Sequence, residues 1–446
     1  MRILVRNGAW SCLLVCAVVA ISAERPNIVF ILSDDQGMND VGCYGSEIPT
    51  PNIDAIAKNG AKFESYYVAS PVCTPSRFGL LTGQFPNRSQ DNLLGALMFL
   101  SERDDTRGLR SHEKTIAEVL GKNGYRTALI GKWHLGHGAQ HFFPNQHGFD
   151  YSYGTSGGAV DYFTLKYGER ADWYRDGKPV EESGYSTDLI TQDAVRYIQQ
   201  QKSGKPFFLY LAYTAPHYGK GWDETTKKPT NILQAKDNDR KKLAHIADVD
   251  RREFAGMVAA MDEGIGRVTR ELKRQKLDQN TLVIFTCDNG ADPRYGGSNT
   301  PFRGQKNQLF EGGIRVPCVA QWPGKIKSGS VISDPVTALD FFPTFCDLAA
   351  VKTKSLALDG NNISSLLLRK KSMQPRDLVW LTPTAKALRR GPWKYFENAK
   401  EEMLFNLAAD PEEKNNLAEA KPELLAQLKA AHQKVTSTFP TKSTAP

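Results

Sequence analysis

The sequence predicts an α/β protein: a large, mostly parallel mixed sheet sandwiched by helices, with a smaller C-terminal α+β subdomain. Three observations predict it. Near-continuous apolar runs at 27–32 and 206–213 have the composition of strands buried on both faces. Helical patterns at 113–120, 187–200 and 251–275 alternate with those runs and with strand-like segments at 126–130 and 281–286. That alternation builds a sheet covered on both sides. Finally, polar residues gather just beyond the carboxyl ends of the strands: Asp34 and Asp35, Lys132 and His134, His217, Asp288 and Asn289. In open α/β sheets, sites form along that edge.

At the N-terminus, Arg2 and Arg6 precede an apolar run from 13 to 21, and Ile21-Ser22-Ala23 resembles a cleavage site. This layout predicts a secretory signal peptide over 1–23. The run is shorter than the ~20 apolar residues a spanning helix needs, so no membrane span is expected. The protein is expected to be exported, to a periplasmic or secreted location, or to a lysosomal-type compartment if the source is eukaryotic. A catalytic domain is expected over 24–365. Within it, Thr50 and Pro51 open a helix as cap and first residue, and Asn59-Gly60 closes it. The character changes after Phe345. A basic linker at 370–375 leads to short strand-like pieces at 377–381, 387–390 and 393–396, then a closing helix at 422–435 and a loose tail. These define a C-terminal unit over 366–446.

The chain carries 57 Lys+Arg against 49 Asp+Glu, a formal charge of +8. This excess is compatible with an anionic substrate, but no zinc-finger spacing, basic helix or aromatic run points to nucleic acid. Of seven cysteines, Cys12 and Cys16 leave with the signal. The five that remain are an odd number for an oxidising compartment, so one is expected to have a special fate.

Cys73 stands out among them. It sits at the mouth of a predicted helix, with Pro75 in the first turn and Arg77 one turn on. Helix-end amides and the guanidinium are expected to favour negative charge at position 73. Asp34, Asp35, Asp288 and Asn289 form an all-oxygen set suited to a hard cation, and calcium fits better than zinc because no Cys/His ligand spacing accompanies them. Asp-Asp after a strand also serves as a cap, and Asp-Asn-Gly as a turn. Placement of both at strand ends favours the metal reading.

Cys73-Thr74-Pro75-Ser76-Arg77 followed by Leu81-Thr82-Gly83 resembles the signature of the type I sulfatases. The resemblance extends through Ser33-Asp34-Asp35-Gln36-Gly37, Gly131-Lys132-Trp133-His134, Ala215-Pro216-His217, Asp288-Asn289-Gly290, Arg303-Gly304-Gln305-Lys306 and Glu311-Gly312-Gly313-Ile314-Arg315. It reaches Trp393-Lys394 and 404–407 near the end. It is similar to the arylsulfatase and N-acetylgalactosamine-6-sulfatase branch, and implies an alkaline-phosphatase-like superfold. It also implies that a formylglycine-generating enzyme oxidises Cys73 to formylglycine, whose hydrated form attacks sulfur. Asp34, Asp35, Asp288 and Asn289 would then hold Ca2+, in contact with residue 73. Arg77 and Lys132 would orient the diol and sulfate, and His134 would take the proton that expels sulfate. His217 and Lys306 would bind the sulfate group, with His217 a proton donor to the leaving alcohol. The implied substrate is a sulfated carbohydrate or an aryl sulfate. Two alternatives stay open: a formylglycine-dependent phosphonate monoester or phosphodiester hydrolase, and an unmodified sulfated-glycan-binding protein.

Overall fold

The computed structural model describes residues 25–201, 204–369 and 371–440, so the expected signal peptide lies outside the described residues. Its organising strand is β1 (Asn27–Ser33), every residue of which is buried. The other strands of the main sheet are β2 (Ala61–Phe63), β3 (Arg126–Gly131), β4 (Tyr151–Gly154), β5 (Tyr174–Arg175), β6 (Lys178–Pro179), β7 (Phe207–Ala212), β8 (Thr281–Cys287), β9 (Cys318–Gln321) and β10 (Ser330–Ile332). Their order across the ten-stranded sheet is β10-β2-β9-β8-β1-β7-β3-β4-β5-β6. The five central strands, β8 to β4, are mutually parallel, with Ile28 level with Phe208 and Leu282. Strand β9 and the β5–β6 hairpin run antiparallel to their neighbours.

Alternation along β1 explains the double burial. Ile28, Phe30 and Leu32 face a core that includes Phe341 and Phe345, and the Phe30 and Phe341 rings meet at 5.2 Å. Val29 and Ile31 face the opposite layer, against Met257, Met261 and Ile265. Those residues belong to the long helix Val249–Arg274, which packs beside the helix Ser186–Gln199. Full burial of each such side chain contributes about 1.5–3 kcal/mol, which makes this central layer the stable base of the sheet.

Two expected helix starts differ. Thr50 does not cap the helix Pro51–Lys58; its hydroxyl donates to Asp54 at 2.9 Å and accepts from the Gly42 amide. Asp262 of the long helix takes over, accepting from the amides of Asn52 and Ile53. The helix expected from 113 begins at Ile116, because Thr115 caps it by accepting from the Glu118 amide. Glu113 instead holds the amides of Gln90 and Arg110, each at 2.7 Å.

The C-terminal unit is a four-stranded antiparallel meander, β11 (Asp377–Leu381), β12 (Ala385–Arg390), β13 (Trp393–Asn398) and β14 (Glu402–Asn406). The last of these strands was not expected. One face packs Leu388, Tyr395 and Leu404 against Leu428 of the closing helix Pro422–Thr436. The other face gives Trp380 and Phe396 to the core of the main sheet. The junction includes a charged knot: Lys394, fully buried, lies 2.9 Å from Glu311 and 2.8 Å from Glu413. No helix of the described residues is long and apolar enough to cross a membrane. Cys43, Cys73, Cys287, Cys318 and Cys346 are all free thiols.

Candidate active site

Four neighbouring parallel strands deliver most of the site. Asp34 and Asp35 follow β1, Lys132 and His134 follow β3, His217 lies beyond β7, and Asp288 and Asn289 follow β8. The chain must turn at once to present them. Asp35 and His134 both adopt φ of 57°, a left-handed conformation uncommon for residues with a side chain. At Gly131, φ is 114° and a Cβ would lie 1.8 Å from the Ala212 carbonyl, so only glycine lets the chain leave β3 here. The helix Cys73–Thr82 brings its first residue to the same point.

The Cys73 thiol lies 3.8 Å from Asp34 Oδ1 and 4.0 Å from Asp35 Oδ1. The Asp35 amide donates to Asp288 Oδ1 at 3.2 Å, and Asn289 Nδ2 donates to Asp35 Oδ1 at 2.7 Å. Cations balance the carboxylates: Lys132 Nζ sits 2.5 Å from Asp34, Lys306 Nζ 2.6 Å from Asp35, and Arg77 Nη2 2.9 Å from Asp288. Lys306 also donates to His217 Nε2 at 3.2 Å. The ten residues singled out in the sequence thus meet at one edge of the sheet.

One expectation is corrected. Position 73 does not carry a thiolate. Burial pushes the Cys73 thiol up to about 12, outweighing the pull of Lys132 and Lys306. Arg77 cannot offset this, because its guanidinium is taken up by Asp288 and by the Lys132 carbonyl at 3.1 Å. The thiol is a poor nucleophile as it stands.

The surrounding groups fit a hard divalent cation. Asp34, Asp35, Cys73 and His217 offer atoms within 4.8 Å of one another. His217 is the weaker member, since its Nε2 lone pair is taken by Lys306 and calcium prefers oxygen. Burial and the neighbouring Asp288 raise the Asp34 carboxyl. Burial would raise Asp35 also, but Lys306 and His217 prevail and hold it down. Asn289 Oδ1 is buried without a partner. A cation among these oxygens would relieve the repulsion at Asp34 and engage that amide oxygen.

The sulfatase family model matches residues 26–351. The chain belongs to the sulfatase family. Arylsulfatase J of Mus musculus is 34% identical over 354 residues, which cover 76% of this chain and 55% of that protein. N-acetylgalactosamine-6-sulfatase of Homo sapiens is 34% identical over 370 residues, covering 78% of this chain and 67% of that protein. The chain therefore spans little more than half the length of arylsulfatase J. The crystal structure of Ps i-CgsB in complex with k-i-k-neocarrahexaose superposes with a TM-score of 0.84 at 34% identity, covering 94% of each chain.

The histidines of this sulfatase divide by environment. Burial, with Lys132 adding to it, holds His134 well below its ordinary pKa, so it is neutral. Its Nε2 lies 2.9 Å from the Leu97 carbonyl. A carbonyl only accepts, so Nε2 carries the hydrogen. Nδ1 is left as a buried lone pair without a partner. His217 is the mirror case: Nδ1 faces the Tyr218 carbonyl at 2.8 Å, leaving Nε2 to accept from Lys306. His147 is buried and stacked on Trp133 at 5.8 Å.

Leu97 and Thr74 were missed in the sequence. The Thr74 hydroxyl donates to the His134 carbonyl and accepts from the Leu97 amide, each at 3.1 Å. A backbone contact leaves no residue-type signal that would pick Leu97 out of the segment 90–110. Within that segment Asp104 and Arg107 pair with each other and hold the loop together rather than presenting charge. Met98 and Leu100 are its exposed large apolar side chains, and Glu102 and Arg103 are exposed beside them.

Proposed function

We propose that this sulfatase hydrolyses a sulfate monoester on a carbohydrate, using calcium and a formylglycine at position 73. The observation that carries it is the meeting of Cys73 with the carboxylates of Asp34 and Asp35 inside a ring of three buried or half-buried cations. An anionic tetrahedral group has compensating charge there, and a thiol held near 12 needs conversion before it can act. Calcium held by Asp34, Asp35, Asp288 and Asn289 would lower the pKa of a bound hydroxyl and offset sulfate charge. Conversion of Cys73 by a formylglycine-generating enzyme replaces the inert thiol with the hydroxyls of a hydrated aldehyde.

The chain's own groups then divide the work. His134 Nδ1, the free lone pair, accepts the proton whose removal expels sulfate. Lys132 and Lys306 neutralise sulfate oxygens, and Arg77 holds the Asp288 carboxylate in place. Lys306 is the proton-bearing member of its pair with His217, because its ammonium donates to His217 Nε2, so His217 would orient that ammonium near the departing alcohol rather than supply the proton itself. A sulfated carbohydrate is supported by relatives named N-acetylgalactosamine-6-sulfatase and by Ps i-CgsB bound to k-i-k-neocarrahexaose. Export through the signal at 1–23 would place the enzyme where such polymers occur.

The test is release of sulfate from 4-nitrophenyl sulfate and from defined sulfated saccharides, by protein co-produced with a formylglycine-generating enzyme. Peptide mass at Cys73 reports conversion. A phosphodiesterase rate that dominates on bis(4-nitrophenyl) phosphate would sink this reading. An unconverted thiol in protein from the native host would turn it toward glycan binding.

A further inference from the structure

Two hairpins frame the site on the side of His217. Strands Gly219–Asp223 and Lys228–Ile232 form one, and Lys166–Tyr167 with Arg170–Ala171 form the other. They are joined where the Gly168 amide donates to the Lys220 carbonyl at 2.9 Å. Gly168 has φ of 61°, which turns the second hairpin against the first.

Along these hairpins cations and aromatic rings alternate, starting from the reaction centre. Lys306 Nζ is 5.9 Å from the centroid of the Tyr218 ring, and Lys220 Nζ is 5.6 Å from the same ring. Lys220 also lies 5.5 Å from the Tyr167 ring. Tyr167 packs on Phe99 at 5.3 Å, and the Arg170 guanidinium covers Phe99 at 4.7 Å. The track is therefore continuous with the cation that holds Asp35.

Its two outer cations differ from those inside. Lys132, Lys306 and Arg77 each face a carboxylate. Among the described residues, neither Lys220 nor Arg170 has an acidic partner. Lys220 is half-buried, and burial is the one influence that lowers its pKa. A partly desolvated ammonium without a counterion is unfavourable, and an incoming anion relieves it. Tyr218, half-buried, packs its ring 4.0 Å from the His217 ring and adds a hydroxyl that no protein group engages among the described residues.

We propose that Lys220 and Arg170 form an anion subsite that receives a second negative group, a sulfate ester or a uronate carboxylate, on the sugar beside the one that loses sulfate. The subsite rests on the sulfated-carbohydrate reading and narrows it to polyanionic glycans. Tyr167 and Phe99, the rings between the two cations, are buried and fix their spacing, while the half-buried Tyr218 ring between Lys306 and Lys220 supplies the apolar surface on which a sugar ring packs. The charged groups supply selectivity by charge-assisted hydrogen bonds.

The test measures binding, so that it does not depend on turnover. Full-length protein with Cys73 unconverted is titrated by calorimetry, in calcium, with three disaccharides. One carries a single sulfate, one carries a second sulfate on the neighbouring sugar, and one carries a uronate there. The second anion should tighten Kd about tenfold or more in the wild-type protein, with a steeper dependence on salt. Lys220→Met keeps the alkyl stem on both tyrosine rings and removes the charge; combined with Arg170→Gln it should cut the gain to about twofold or less. Whichever of the sulfate and the uronate gives the larger gain identifies the anion. A wild-type protein that does not distinguish the disaccharides, or a double variant that keeps the full gain, overturns the subsite. The wild-type comparison stands even if a variant fails to fold. Failure to release sulfate from 4-nitrophenyl sulfate would count against the catalytic reading alone.

Discussion

Replacing Thr74 by valine tests whether a neighbouring loop holds His134 in its working state. The Thr74 hydroxyl joins three segments, donating to the His134 carbonyl and accepting from the Leu97 amide, while the Leu97 carbonyl accepts from His134 Nε2. Valine fills the same volume and offers neither hydrogen bond. A buried N–H or carbonyl left without its partner costs about 1–3 kcal/mol, so two of them should lower stability by about 2–6 kcal/mol, read as a shift in the urea midpoint. The catalytic effect is separate. General-base catalysis is worth about 10²–10⁴-fold, and a ring released from its anchor should forfeit part of that. A fall in kcat of about 10–100-fold is expected, equivalent to about 1.4–2.7 kcal/mol of barrier. KM for 4-nitrophenyl sulfate should change little, because Lys132, Lys306 and His217 are untouched. Rates are divided by the fraction of Cys73 converted, measured by peptide mass, since the substitution adjoins that residue. Thr74→Ser keeps the hydroxyl and should stay within about threefold of wild type. A valine variant that turns over within about twofold of wild type, per converted molecule, would refute the reasoning.

Four further outcomes are expected. Lys394→Met strands two buried carboxylates and should cost about 3–5 kcal/mol by thermal unfolding, partly recovered by adding Glu413→Gln. Burial raises Glu413 above its ordinary 4.5, so its contribution is fully present below that value and is lost as pH rises through the raised one; Glu413→Gln should flatten stability over that rise. Calcium at about 100 times its Kd should add about 2.7 kcal/mol to unfolding, reversed by chelator and lost in Asp35→Asn. With its pKa near 12, an unconverted Cys73 should resist iodoacetamide at pH 8 until the chain is unfolded, as read by peptide mass.

The elements legible in the sequence are those that burial makes unambiguous. Strands β1, β7 and β8 are buried along their whole length and apolar through their middles, because both faces are covered. The outer strands β2, β5, β6 and β10 span two or three residues each, too short for any period to show. The candidate site was legible for the same reason. Once the central strands were placed, their carboxyl ends carried Asp34, Asp35, Lys132, His134, His217, Asp288 and Asn289 to one edge. What stayed hidden is how these groups are partnered. Arg77 lies one turn from Cys73 in sequence, which suggests a polarised thiol, yet its guanidinium is engaged by Asp288 from another strand. The Leu97 carbonyl fixes the tautomer of His134, and any residue type could have supplied it.

The same burial also decides why the encoded thiol cannot be the working group. Taking Asp34, Asp35 and Asp288 out of water beside Cys73 makes a further negative charge at that position costly, and the nearby lysines already serve the aspartates. A thiolate would therefore compete with these carboxylates for the same cations. A neutral hydroxyl that loses its proton only when a divalent ion is present avoids that competition. Thiol and calcium should accordingly be separable in experiment: calcium should stabilise unconverted protein through the aspartates and Asn289, while leaving Cys73 unreactive toward iodoacetamide. If calcium instead made the native thiol rapidly alkylatable, position 73 would have ionised in place, and conversion would not be needed to explain the site.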